Sequence, residues 1–111
     1  MPRTPMSPEL LDLVAARFRA FGEPARLRIL EALRGGEQSV GELVADTGLG
    51  QANLSRHLQQ MLALGLVRRR KAGRYAYYVL TDPDVLRLCD VVCGRLDREN
   101  QAQRAVLRSA G

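Results

Sequence analysis

Two short stretches of this sequence hold residue types whose spacing could do chemistry. The first, LCDVVCGRL at residues 88–96, contains the only two cysteines, Cys89 and Cys93, four positions apart in a helical pattern. Residues at i and i+4 share a helix face, so both sulfurs project to one side. Paired thiolates take soft ions such as a trivalent metalloid or Cu(I), and they can be oxidised. An intrahelical disulfide is harder, because the Cα separation over one turn lies near the long end of the bridging range and the Cβ vectors run side by side. Arg87, Arg95 and Arg98 would lower a thiol pKa if they lay close to it. The alternative is packing: cysteine is among the most buried residue types, and Cys89 falls in line with Val85, Val92 and Leu96.

The second stretch is GQANLSRHLQQMLALG, residues 50–65. Helical geometry puts Leu54, Leu58 and Met61 on one side and Ala52, Arg56 and Gln59 on the other, with Asn53 and Ser55 flanking the latter. That outward face has the chemistry to read bases. Asn53 suits adenine, Arg56 suits guanine, Ser55 is short and versatile, and the Ala52 methyl can meet a thymine methyl. Gln51 at the helix start is placed for the groove floor or a phosphate, and the free amides of a helix N-terminus attract phosphate. His57 is the only histidine; zinc wants about four ligands, so a phosphate or a neighbouring backbone group is its expected partner. Directly after this helix, Arg68, Arg69, Arg70, Lys71 and Arg74 straddle a predicted turn and would set a row of charges against a DNA backbone or in a minor groove.

Charge distribution supports the second stretch. The net charge is +5, but between Asp46 and Asp82 there is no acid, while six of the 17 basic residues lie there. The other 11 meet all 12 acids elsewhere, so the whole excess belongs to one third of the chain. A polyanion is the implied partner. One histidine, no acid in the central third, no phosphate loop and no paired carboxylates leave no catalytic constellation, and no enzyme is expected.

The elements that must position these residues are legible from caps and periodicity. Ser7-Pro8-Glu9 opens a first helix carrying Leu10, Leu11, Val14, Ala15, Phe18 and Phe21 up to Gly22. Pro24 starts a second, with Leu27, Leu30 and Leu33 predicted to face inward and Gly35-Gly36 to end it. Ser39-Val40-Gly41-Glu42 is a capping box for a short third helix ending near Gly48. A tight turn then leads into the Gln51 helix, making a helix-turn-helix. Leu66 to Lys71 and Tyr75 to Leu80 form a β-hairpin with a basic tip, and Asp82-Pro83 caps a last helix with a coiled-coil-like seam at Val85, Cys89, Val92 and Leu96. With 111 residues, one compact domain over 8–108 is expected, after a disordered tail at 1–7 and with the last few residues also disordered. Met1 to Pro8 lacks the apolar stretch of a signal peptide and no run approaches a membrane span, which predicts a cytoplasmic protein with no membrane partner.

Taken together, residues 23–80 resemble the ArsR/SmtB family of bacterial repressors. The resemblance rests on Pro-x-Arg-x-x-Ile-Leu from Pro24, Gln-x-x-x-Ser-x-His-Leu from Gln51, Gly-Leu-Val from Gly65 and Gly-Arg-x-x-Tyr-Tyr from Gly73. It implies a mainly α winged helix-turn-helix of about five helices with a two-stranded β-hairpin wing. It also implies a homodimer through the first and last helices, with Gln51, Ala52, Asn53, Ser55, Arg56 and His57 in the major groove of double-stranded DNA and Arg68, Arg70, Lys71 and Arg74 on its backbone. Such dimers bind inverted-repeat operators and release them when an inducer binds. The family's zinc pattern on the last helix is missing, since Asp82-Pro83-Asp84 and then Arg95 and Arg98 stand in its place, and arginine cannot ligate zinc. Its third-helix Cys-x-Cys is also missing, with Gly41-Glu42-Leu43-Val44 there. Cys89 and Cys93 fit a looser class of members that answer to trivalent arsenicals, oxidants or reactive sulfur. No cofactor is required; As(III) or another soft metal ion is an inducer these thiols would take. Two other readings stay open: a DNA-binding regulator with structural cysteines and a different inducer or none, and a winged helix that serves protein interaction.

Overall fold

The computed structural model describes residues 4–110, and the chain divides into two units, residues 4–81 and 82–110. The sequence predicts one domain over 8–108. Residues 4–7 have no regular secondary structure, and residues 1–3 of the predicted tail lie outside the described residues.

The first unit contains α1 (Pro8–Phe21), α2 (Pro24–Ala32), a 3-10 turn (Leu33–Gly35), β1 (Gln38–Ser39), α3 (Val40–Thr47), α4 (Gln51–Ala63), β2 (Val67–Ala72) and β3 (Tyr75–Leu80). The caps act as the sequence predicts. Ser7 Oγ accepts from the Leu10 amide at 3.1 Å with Pro8 in the first turn. At α3 the capping box is complete: Ser39 Oγ accepts from the Glu42 amide at 3.2 Å, and Glu42 Oε1 accepts from the Ser39 amide at 3.0 Å. Gly48 ends α3 at φ 73°, a conformation that glycine adopts without the steric penalty of a side chain. Buried Thr47 braces the turn, donating to the Leu43 carbonyl at 2.6 Å and accepting from the Leu49 amide at 3.2 Å.

Ile29, Leu30, Leu33, Leu43, Leu54, Leu58 and Met61 are fully buried and bind α2, α3 and α4 into one core, which Leu66, Val67, Tyr78 and Leu80 extend under the sheet. Leu27, predicted to face inward, is 41% exposed. The buried residues of α2 and the turn after it, Ile29, Leu30 and Leu33, centre about 110° around the helix from Leu27, which puts it at the edge of the buried face.

The sheet has three strands in the order β1-β3-β2, one more than the predicted hairpin. Gln38 and Ser39 pair with Tyr78 and Tyr77, a two-residue strand too short to show any period of its own. β2 and β3 pair from Val67↔Leu80 to Ala72↔Tyr75, joined by Gly73 and Arg74 with positive φ at Gly73 alone, as a II′ turn requires.

The second unit is α5 (Asp84–Ala110), opened by Asp82 Oδ1 accepting from the Asp84 amide at 2.9 Å. The helix runs to Ala110 where a disordered end is predicted, and pairs one turn apart brace it, Arg95 to Glu99 at 3.0 Å and Gln101 to Asp97 at 3.3 Å. Leu88, Val91, Val92 and Leu96 on α5, like Leu10, Leu11, Leu13 and Phe18 on α1, are exposed in the single chain. Among the described residues no helix is long and apolar enough to cross a membrane.

Candidate nucleic-acid interface and thiol pair

The Gln51 helix, α4, is anchored by Leu54, Leu58 and Met61, each at most 1% exposed, so its opposite face is fixed outward. Gln51, Ala52, Ser55, Arg56 and Gln59 are exposed on it and Asn53 is half-buried. Arg56 Nη2 donates to Asn53 Oδ1 at 2.7 Å, so the two side chains expected to read bases stand as one hydrogen-bonded unit in the first turns of the helix.

His57 departs from expectation. It is 5% exposed, and its Nδ1 accepts from Arg26 Nε at 3.3 Å, which places it inside the fold and away from the outward face. The reason is its spacing: His57 follows Leu54 by three and precedes Met61 by four, so it joins the inward row. The Glu23 carboxylate lies 3.9 Å from the same nitrogen, too far for a hydrogen bond.

Arg26 is the residue that inspection of the sequence passes over, quoted there only as part of a motif. Besides His57, it donates from Nη1 to the Ala20 carbonyl at 3.3 Å and from Nη2 to Gln60 Oε1. One guanidinium thus joins the end of α1, the start of α2 and the middle of α4. Arg17 adds a second link, its Nη1 donating to the Leu64 carbonyl at the end of α4 at 2.8 Å.

In the wing, the strand period of two divides the predicted row of charges between faces. Arg69 and Lys71 share the side of Val67, opposite Tyr78 and Ala76, while Arg68 and Arg70 share the other, opposite Val79 and Tyr77. Arg68, Arg69, Lys71 and Arg74 are exposed. Arg70 is exposed too but engaged: Nε and Nη2 donate to the two carboxylate oxygens of Glu37 at 3.0 and 2.7 Å, and the guanidinium lies 4.9 Å from the Tyr77 ring centroid. The hydrogen bond from Arg70, and its charge, hold the Glu37 carboxyl below the usual carboxylate range against a smaller opposing effect of desolvation. The same hydrogen bond raises Arg70 further.

On α5, Cys89 is half-buried and Cys93 exposed, one turn apart, and neither forms a disulfide. Arg87 pairs with Asp84 at 3.3 Å and Arg95 with Glu99 at 3.0 Å, so part of the nearby positive charge is spent on carboxylates. Among the described residues no group of three or more His, Cys, Asp or Glu side chains is gathered to hold a metal ion. The two sulfurs have the chemistry for a soft ion but supply two donors per chain.

Comparison with known proteins agrees with this geometry. The family model described as bacterial regulatory protein, arsR family, matches residues 23–69. The HTH-type transcriptional regulator Rv0081 of Mycobacterium tuberculosis is 38% identical over 102 residues, 91% of this chain and 90% of the relative. A homodimeric winged helix-turn-helix DNA-binding domain, Mb0332 of Mycobacterium bovis, superposes with a TM-score of 0.73 at 32% identity, covering 89% of this chain and 94% of that one. The antimony-specific transcriptional repressor AntR superposes with a TM-score of 0.80 at 26% identity, covering 91% and 92%.

Proposed function

The chain belongs to the bacterial arsR family of regulatory proteins, and from that membership we propose that it is a homodimeric transcriptional repressor released from its operator by thiol chemistry at Cys89 and Cys93. It binds double-stranded DNA, with α4 in the major groove and the wing on the backbone. The observation that carries this part is the outward face of Gln51, Ala52, Asn53, Ser55 and Arg56, fixed by a buried Leu54-Leu58-Met61 row and followed in the wing by five exposed basic residues. Arg56 with Asn53 reads base edges; Arg68, Lys71 and Arg74 supply affinity through phosphates.

Two observations support the thiol part. Cys89 and Cys93 stand one turn apart beside Leu88, Val92 and Leu96, apolar residues left exposed in the single chain and suited to a second copy of α5. A dimer through that seam brings four sulfurs near its twofold axis, enough for a third thiolate on a trivalent ion or for a bridge between subunits. Similarity to an antimony-specific repressor favours a metalloid over a hard cation. A second reading keeps the DNA binder and makes the cysteines packing residues; the half-burial of Cys89 in line with Val85, Val92 and Leu96 favours it.

The deciding experiment is fluorescence anisotropy of reduced protein on the duplex directly upstream of its own gene. The complex is titrated with phenylarsine oxide, antimonite or peroxide, and the titrations are repeated with Cys89→Ser and Cys93→Ser. Release that both variants retain removes the thiol site.

A further inference from the structure

Resting on the reading that the wing meets DNA, we propose that Glu37 is an intramolecular competitor of that contact: its carboxylate takes the place of a backbone phosphate on Arg70 and keeps the guanidinium laid across the sheet until DNA displaces it.

The geometry is that of phosphate recognition turned inward. Two parallel N–H···O bonds, at 3.0 and 2.7 Å, are the fork with which a guanidinium takes a phosphate or a carboxylate. Glu37 immediately precedes β1, Arg70 is on β2, and β3 lies between them. Neighbouring strands are about 4.8 Å apart, so the Arg70 side chain spans the middle strand, with Tyr77 beneath it. It is thereby turned back over the sheet, away from the free edge of β2. Among the described residues of the wing, Arg70 is the one basic residue with an acidic partner; Arg68, Arg69, Lys71 and Arg74 are left to solvent.

Glu37 is also the acid that folding brings into an otherwise acid-free basic segment, from 33 residues away in sequence. An unpaired carboxylate there would repel a phosphate backbone. Paired with Arg70 it withholds one positive charge from the free protein, and DNA must exchange carboxylate for phosphate to recover it. Affinity of the wing is thus set below its maximum by one intramolecular competitor. Salt weakens the internal pair as well as the DNA contact, so the exchange flattens the fall of affinity with salt.

The test is anisotropy on the upstream duplex and on a random-sequence duplex of equal length, across a salt series. Glu37→Gln is expected to bind both duplexes about two- to fivefold more tightly, the range for relieving an exposed ion pair, and to lose affinity more steeply with salt. Glu37→Ala should move the same way, with thermal melts showing both variants folded. Adding Arg70→Ala to Glu37→Gln should abolish the gain and lower the salt slope by about 0.9, the share of one phosphate contact. Unchanged or weaker binding in folded Glu37→Gln and Glu37→Ala overturns the proposal, the weaker result meaning that Glu37 holds Arg70 in its working position. Arg56→Ala and Lys71→Ala separate this from the underlying reading. If they weaken binding while Glu37→Gln has no effect, only the exchange fails; if they too have no effect, the DNA face itself is misplaced.

Discussion

Arg26 donates from Nε to Nδ1 of His57 across 3.3 Å, which commits the only histidine of the chain to a partner inside the fold. Because the same guanidinium also holds the Ala20 carbonyl and Gln60, the orientation of the DNA-facing helix is tied to α1 as well as to the apolar core. The outward face of α4 is consequently held from behind by polar bonds as well as by its apolar row.

Replacing Arg26 with alanine should therefore destabilise the first unit by about 1.5–3 kcal/mol, the usual cost of losing hydrogen bonds from a charged donor. Arg26→Lys should recover little, since an ammonium cannot span three acceptors set around a planar fork. Urea denaturation measures the loss. A change below a few tenths of a kcal/mol for Arg26→Ala would show that water replaces the guanidinium without penalty.

Much of this was legible because local signals were consistent. Ser7, Pro8, Ser39, Glu42 and Gly48 each mark a helix end by a mechanism that acts over three or four residues, and each acts there in the structure. The Gln51 helix was legible from its apolar row. What was not legible depends on contacts remote in sequence. The two-residue β1 exists only because β3 offers it an edge, and Arg70 meets Glu37 because the sheet order sets β3 between them. For His57 the chemistry suggests a phosphate or backbone partner, whereas its spacing from Leu54 and Met61, also in the sequence, places it in the inward row, where the side chain of Arg26 meets it.

The ion pair of Glu37 and Arg70 has a pH dependence of definite sign. The Glu37 carboxyl is held below its ordinary value by Arg70, so the pair contributes fully above the ordinary carboxylate range and is lost as pH falls through the lowered, folded-state value. Nothing should change between pH 6 and pH 8, because neither partner titrates there. Proton NMR of the Arg70 Nε–H and the Tyr77 ring should show one acid transition, absent in Glu37→Gln. A midpoint above that of an ordinary glutamate would contradict the pairing.

Base reading and backbone binding should separate by mutation. Arg56→Ala removes a side chain aimed at base edges and leaves Asn53 without its partner, so it should cost about 1–3 kcal/mol on the operator and relax preference at one base pair. Lys71→Ala, on the wing, should weaken operator and random duplexes alike and reduce the salt slope by about 1. Binding measured on single-base operator variants and across salt distinguishes the two. Equal loss on every sequence for Arg56→Ala would move that residue from the bases to the backbone.

The seam on α5 makes a sharper prediction than the cysteines alone. Leu96 is 58% exposed in the single chain, so charging it takes nothing from the interior of either unit. In a dimer sealed through α5, by contrast, each copy buries it, and full burial of a leucine is worth about 1.5–3 kcal/mol. Leu96→Glu loses that twice and sets two carboxylates in an apolar seam, so the dimer constant should weaken by at least about a hundredfold. Helical content and the melting of residues 4–81 should be unchanged. Operator affinity should collapse with the dimer, because one recognition helix loses the second half-site that lies about 34 Å away. Sedimentation with circular dichroism reads the first pair of outcomes and anisotropy the third. A Leu96→Glu protein that stays dimeric and keeps its operator affinity would move the interface off this face of α5, and with it the reason for bringing Cys89 and Cys93 of two chains together.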